Sequence, residues 1–288
     1  NFVASVAHYA YLQQACVDAG VEALGYIPKD ESIVIPSRHL GLSIDETFCF
    51  DTFADRVAEV IDKTVNVDRL LELCTVEFSG EQTEDVVCFG NRKIAIARDE
   101  AFNFMYRENV EALKRAGEVV FFSPLRDKSL PEADMVYFPG GYPELHLAEL
   151  AANEGMRQSV RKYCENGGRV LAECGGMMYL CDTITDGDGK VYPMAGVLKQ
   201  GATMEQMKLK LGYREVRVNG QRIRGHEFHY SRILPANEKI PVIGTIYNAK
   251  DMVVDTPVYT YKNVLASYIH FYWGECGIDH FLMLMSQK

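Results

Sequence analysis

The sequence predicts an α/β protein built around a mixed, mainly parallel sheet. Three observations carry this expectation. Short apolar runs at 93–97, 119–122, 135–138 and 170–172 alternate with segments of helical period. Two of these runs end in paired glycines, Gly140-Gly141 and Gly175-Gly176, each opening a helical segment. After about Pro193 the pattern changes to strands without long helices, which predicts an antiparallel extension on one edge.

A chain of 288 residues is too long for one ordinary core and suggests one large domain plus part of another. The first block, 1–74, opens with Val6, Tyr9, Ala10, Gln13 and Val17 at helix-like spacing, followed by Gly20 and a short apolar run over 21–27. That order reads as helix, turn, strand. Pro28 and Pro36 bracket a loop, and helical patterns follow at 52–63 and 68–74. One strand is too little for an independent sheet, so this block reads as the C-terminal remnant of a larger α/β domain. The opening Asn1-Phe2-Val3, without an initiator Met, fits a cut into a longer protein. Residues 75–91, with Glu77, Glu81, Glu84 and Asp85 around Ser79-Gly80, read as a polar linker.

The second block, 92–288, starts with the strand at 93–97. A helix fits 104–116 and ends at Gly117, strands follow at 119–122 and 135–138, and a helix over about 143–165 is closed by Asn166-Gly167-Gly168. Strand 170–172 completes the parallel set. The extension is expected from strands at 208–218, 227–234, 242–247 and 264–270.

A hydrophobic content of 48% with 24% charged residues fits a soluble globular protein, and no apolar run approaches the ~18 residues of a membrane span. The net charge of −10 argues against nucleic-acid binding, because no basic stretch is available to neutralise phosphates. An anionic small substrate would need only a local cluster such as Arg38-His39. The eight cysteines form no C-x-x-C pair, which argues against zinc sites and a disulfide framework and for a reducing cytoplasm.

In Val170-Leu171-Ala172-Glu173-Cys174-Gly175-Gly176-Met177 an apolar strand runs into a Cys, two glycines and an apolar helix. This is the pattern of a nucleophile elbow, where a tight turn needs small neighbours and strains the nucleophile's backbone. The helix start should draw the thiol from its usual pKa of ~8.5 toward neutrality. A buried structural Cys before a glycine turn is the alternative that the local pattern leaves open. In Phe138-Pro139-Gly140-Gly141-Tyr142-Pro143 paired glycines could let backbone N–H groups converge on an oxyanion. A phosphate loop competes, but G-x-x-x-x-G-K-[ST] occurs nowhere in the chain. Both loops should fall on the carboxyl edge of one parallel sheet, where α/β sites form.

A thiol nucleophile needs a base. Of seven histidines, His270 ends an apolar run that could deliver its ring to the same edge. His226 and His229 are spaced H-E-x-H rather than H-E-x-x-H. On a strand, positions three apart face opposite sides, so a shared metal is not expected. Substrate contact or structural hydrogen bonding remains for His226, Glu227 and His229.

Three strings, Pro139-Gly-Gly-Tyr-Pro-Glu-Leu-His146, Ala172-Glu-Cys-Gly-Gly-Met-Met-Tyr179 and Gly225-His-Glu-Phe-His-Tyr-Ser231, resemble the glutamine amidotransferase half of the cobyrinate a,c-diamide synthase family. The strings Leu24-Gly-Tyr-Ile-Pro28 and Ile35-Pro-Ser-Arg-His-Leu-Gly-Leu42 resemble the end of its ATP-dependent synthetase domain, which is P-loop-like. The resemblance implies a class I (triad-type) amidotransferase fold over 92–288. It implies Cys174 as nucleophile, through a γ-glutamyl thioester, and His270 as the residue that raises its reactivity. Gly140, Gly141 and Gly175 become the oxyanion and glutamine-binding positions. Arg38, His39, His226, Glu227 and His229 become candidates on the substrate side. Many triad relatives carry a Glu two residues after the His; here that position is Tyr272, which points to a Cys-His dyad, and Glu275 is a poor substitute. ATP and Mg2+ are implied for the whole enzyme and no cofactor for the glutaminase half. Expected partners are glutamine and cobyrinate, with a homodimer left open. The homologous nickel-sirohydrochlorin a,c-diamide synthase, a different cysteine amidohydrolase and a silent binding domain are the alternatives.

Overall fold

The computed structural model describes residues 3, 5–35, 37–38, 41–42, 48–76, 92–236 and 239–274. The chain divides into two compact units, Asn1–Thr83 and Glu84–Lys288.

In the first unit, helix α1 (Val6–Asp18) is capped by Ser5, whose hydroxyl accepts from the His8 N–H at 3.2 Å. Ser37–Arg38 (β1) pairs antiparallel with Gly41–Leu42 (β2). Helices α2 (Phe50–Thr64) and α3 (Val67–Cys74) follow, α3 capped by the Asn66 side chain. The strand expected over 21–27 does not form. A single bridge, Gly25 to Val65, and the bonds Tyr26 N–H to Thr64 O and Asn66 N–H to Leu24 O pin this segment to the α2–α3 junction. Among the described residues it has no strand neighbour, and without a ladder an apolar run stays irregular. None of the three helices buries a residue fully, and Val17, Phe50 and Leu71 are exposed.

The second unit opens with β3 (Arg92–Ala97), α4 (Arg107–Ala116), β4 (Gly117–Phe122) and β5 (Met135–Phe138). Helix α4 begins three residues later than the 104–116 expected, because Phe104 is drawn into a bridge with Gly140. The long helix expected over 143–165 is three pieces: a 3-10 turn (Pro143–Leu145), α5 (Leu147–Ala152) and α6 (Glu154–Glu165). Asn153 makes the break. Its Oδ1 caps α6 while its Nδ2 reaches back to the Pro124 and Asp127 carbonyls, both at 2.8 Å. Then come β6 (Arg169–Glu173) and α7 (Gly175–Leu180), followed by β7 (Cys181–Thr185), β8 (Val191–Pro193) and β9 (Leu198–Thr203). These last three strands have no counterpart in the sequence reading.

The remaining strands are β10 (Lys210–Val218), β11 (Gln221–His229), β12 (Arg232–Ile233), β13 (Thr245–Asn248), β14 (Val258–Tyr261), β15 (Val264–Ser267) and β16 (Ile269–Phe271). A two-residue Asn219-Gly220 turn, both at positive φ (50° and 77°), closes the β10–β11 hairpin. That turn sets β11 earlier than the expected 227–234.

The central sheet has the order β14-β15-β6-β5-β3-β4, and only the β14–β15 pair is antiparallel. Its side chains alternate between two cores. Ala95, Ala97, Val136, Phe138, Val170 and Ala172 face α5, α6 and α7. Ile94, Ile96, Met135, Tyr137 and Leu171 face α4 and the wholly antiparallel sheet β13-β10-β11-β16. Each fully buried aliphatic side chain contributes roughly 1.5–3 kcal/mol. The run expected as one antiparallel strand over 264–270 is divided between sheets. Residues Val264–Ser267 join the central sheet parallel to β6, and Ile269–Phe271 pair antiparallel with β11. This crossing delivers His270 to the carboxyl edge of the central sheet.

Candidate active site

Strand β6 ends at Glu173 and α7 begins at Gly175, so the whole reversal falls on Cys174, at φ 46° and ψ −106°. Residues with a β-carbon rarely adopt such angles, and the surrounding bonds impose them. The Cys174 N–H donates to Ser267 O at 2.7 Å, the Gly176 N–H to Pro139 O at 3.1 Å, and the Met178 N–H to Cys174 O at 3.0 Å. The two glycine loops are in close contact. A β-carbon on Gly175 would lie 2.7 Å from Pro143 Cδ and 3.1 Å from Gly141 O, and one on Gly176 would lie 2.3 Å from Phe138 O. Gly141, at φ 154°, passes so near Ala101 O that a β-carbon would sit 2.2 Å from it. Gly140, Gly141, Gly175 and Cys174 therefore converge.

The Cys174 thiol is 7% exposed, and its Sγ lies 3.9 Å from Phe228 O. Burial pushes its pKa well up, Glu144, Glu173 and Glu227 add to the rise, and only the Gly175 N–H works the other way. This corrects the expectation of a thiol drawn toward neutrality. The short helix start is outweighed by exclusion of water, and without bound substrate the sulfur holds its proton.

His270, on β16, is 4% exposed. Its ring stacks on His226 (centroids 4.8 Å apart, 15° between planes) and meets Phe104 edge-on at 4.6 Å. Burial, reinforced by His226 and His229, takes its pKa down to about 3, so the resting imidazole is neutral. Its Nδ1 is buried with no hydrogen-bond partner among the described residues. Tyr272, at the position where triad relatives carry Glu, donates its N–H to Arg224 O and sets its ring against Tyr106. Glu275 and His39 lie outside the described residues. Arg38 belongs to β1 of the first unit.

The H-E-x-H string splits as its spacing predicts. The His226 Nδ1 meets the Tyr106 hydroxyl at 2.6 Å on the His270 side. His229 turns away and stacks on Tyr268, with centroids 3.5 Å apart and 5° between planes. Glu227 is not open to a substrate: it is 0% exposed and takes Arg214 Nε at 2.7 Å, Thr256 Oγ1 at 2.8 Å, His229 Nε2 at 2.8 Å and Lys210 Nζ at 3.4 Å. Burial opposes ionisation here, but the bonds from His229 and Thr256 and the Lys210 charge prevail and hold the carboxyl at about 2. His229 is also internal. One ring nitrogen faces Glu227 and the other Ser231 O at 2.7 Å, which leaves none to relay a proton from Cys174.

Glu173 escaped the sequence reading. It is 1% exposed, accepts from the Tyr137 hydroxyl at 2.8 Å and the Phe271 N–H at 3.2 Å, and burial raises its pKa to about 8 against those donors. The available signal was a lone carboxylate ending a strand that is buried on both faces.

Residues 93–276 match the family of the CobB/CobQ-like glutamine amidotransferase domain. The chain is 34% identical over 290 residues to the cobyrinate a,c-diamide synthase of Salmonella typhimurium, spanning 96% of this chain and 63% of that protein. It is 36% identical over 305 residues to the protein of the same name from Caldanaerobacter subterraneus subsp. tengcongensis, spanning 98% and 65%. The hydrogenobyrinate a,c-diamide synthase of Pseudomonas aeruginosa is 36% identical over 274 residues, spanning 94% and 62%. The chain thus covers less than two thirds of the length of these relatives.

Proposed function

The chain belongs to the CobB/CobQ-like glutamine amidotransferase domain family, and from that premise we propose that residues 92–288 hydrolyse glutamine through Cys174 and release ammonia. The observation that carries this reading is the strained elbow at Cys174, set against the Gly140-Gly141 loop with a buried, uncharged His270 on the same sheet edge. As glutamine binds, the Cys174 proton passes to the imidazole and the sulfur attacks the side-chain amide carbon. The oxyanion that forms is held by backbone N–H groups of the two glycine loops. Collapse returns the proton to the departing nitrogen, which leaves as ammonia, and water then cleaves the γ-glutamyl thioester to glutamate, restoring the thiol.

For the whole enzyme the reading extends to amidation of the a and c carboxylates of a corrinoid, cobyrinate or its metal-free counterpart, with ATP and Mg2+ activating the carboxylates. The names of the relatives support this substrate class. We assign 1–74 to the end of the synthetase domain and 75–91 to the linker. The exposed apolar residues of α1, α2 and α3 support a block that belongs to something larger. The ATP and Mg2+ chemistry is assigned to the whole enzyme, since this chain carries no G-x-x-x-x-G-K-[ST] phosphate-loop sequence. No helix among the described residues is long and apolar enough to cross a membrane; a cytoplasmic location is part of the proposal.

The test is intact-mass labelling with a glutamine-mimicking electrophile, on this chain and on Cys174→Ala, with and without excess glutamine. One adduct on Cys174, blocked by glutamine and absent from the variant, is expected. Labelling that glutamine does not slow would point to a different amide substrate.

A further inference from the structure

Among the described residues no carboxylate reaches the ring of His270, whose Nδ1 is buried without a partner. What is held is the main chain beside it. Among the described residues, strand β16 is the last of its sheet. Toward β11, His270 stands opposite His226 and Phe271 opposite Gly225, and the Tyr272 N–H donates to Arg224 O at 2.9 Å. The peptide groups of Phe271 point away from β11, toward the other edge.

Two buried side chains, one from β6 and one from α4, occupy that edge. Glu173 accepts the Phe271 N–H at 3.2 Å with one carboxyl oxygen and the Tyr137 hydroxyl at 2.8 Å with the other. Asn109, on α4, donates its Nδ2 to Phe271 O at 2.7 Å and accepts the Trp273 N–H at 2.9 Å, so its amide takes the place of a neighbouring strand. Asn109 is 0% exposed and Glu173 1%. Apolar residues of similar size would pack there without the desolvation cost of a carboxyl and an amide, so the hydrogen bonds have a purpose beyond filling space. Glu173 also adjoins Cys174 in sequence, so a displacement of the elbow and of the histidine strand would move together.

We infer that Glu173 and Asn109 are positioning residues that fix His270 relative to Cys174 by clamping the backbone of Phe271, in place of a carboxylate on the imidazole. This rests on the glutaminase reading above.

A chloroketone analogue of glutamine, titrated against this chain, separates the limiting rate of Cys174 alkylation from the half-saturating concentration. Glu173→Leu and Asn109→Leu should each lower the limiting rate on the order of ten- to a hundredfold and leave half-saturation unchanged. Glu173→Gln can still accept from Phe271 and should restore much of what Leu loses. In a His270→Ala background, itself slow, neither leucine substitution should cost anything more, because the clamp acts through the imidazole. Folded leucine variants that label at the parental rate overturn the proposal, as does an equal further loss in the His270→Ala background. If His270→Ala itself labels at full rate, the failure lies in the underlying glutaminase reading. Asn109→Ser and Glu173→Asp carry the same outcomes if a leucine variant does not fold; heat denaturation identifies that case.

Discussion

Gly140 lies against the imidazole of His270: a β-carbon on it would sit 2.2 Å from Cε1 and 2.9 Å from Nδ1. Phe104 and His226 pack against other sides of the ring. Gly140→Ala should therefore tilt the ring, cost about 1–3 kcal/mol from overpacking, and slow glutamine-blocked labelling on the order of a hundredfold. Denaturant titration and the labelling rate measure the two effects on one sample. A labelling rate equal to the parent's would sink the proposed role of His270.

The backbone of Cys174, at φ 46° and ψ −106°, suits glycine better than any residue with a β-carbon. Elsewhere an Ala outperforms Gly by about 0.5–1 kcal/mol. At this elbow the order should invert, with Cys174→Gly more stable than Cys174→Ala by about 1 kcal/mol, and both inert to the glutamine analogue. Paired urea titrations decide it.

Because burial holds the Cys174 thiol protonated, a small neutral alkylating agent should react slowly near pH 7 and faster as pH rises beyond the usual thiol range. The glutamine analogue should be far less dependent on pH, since it brings the sulfur and His270 into productive geometry. Rapid alkylation by the small reagent at pH 7 would contradict a buried, protonated resting thiol.

The buried carboxyl of Glu173 titrates at about 8 in the folded chain and near 4.5 when exposed. Between those values the folded state binds the extra proton, so this residue's contribution falls as pH rises from 4.5 to 8 and levels off above. The slope is at most about 1.4 kcal/mol per pH unit. Glu173→Gln removes that slope, and the melting temperature of the variant should gain on the parent's between pH 5.5 and pH 8. Parallel pH profiles would mean that the carboxyl is already ionised.

The Glu227 carboxylate joins Arg214, His229, Lys210 and Thr256. Removing it leaves the Arg214 charge, 8% exposed, without its acid. Glu227→Ala should cost about 3–5 kcal/mol, the penalty for an orphaned buried charge. Chemical denaturation is the measure, and a loss under about 1 kcal/mol would place the network in water after all.

Part of this fold was legible residue by residue. The apolar runs at 93–97 and 135–138 became β3 and β5, and Gly117 ended α4, because runs buried on both faces and a helix-stopping glycine are local signals. The elbow was legible as well, since small residues around a Cys at a strand end have few other uses. The Asn219-Gly220 pair is likewise a local hairpin signal, since both residues take the positive φ that such a turn requires. The break at Asn153 could not be read in advance: it depends on the carbonyls of Pro124 and Asp127, about 26 to 29 residues away in the chain.

The sequence by itself determined the alternation of elements, the two glycine loops and the identity of the nucleophile's neighbourhood, because period, turn chemistry and small-residue spacing act over a few residues. Only the tertiary structure decided that residues 264–271 divide between two sheets, that Glu227 is an internal ion-pair partner, and that Glu173 and Asn109 reach Phe271. Hydrophobic period records that a face is covered. Which strand, helix or carboxyl covers it depends on contacts between residues far apart in the chain, and those exist only once the layers have packed.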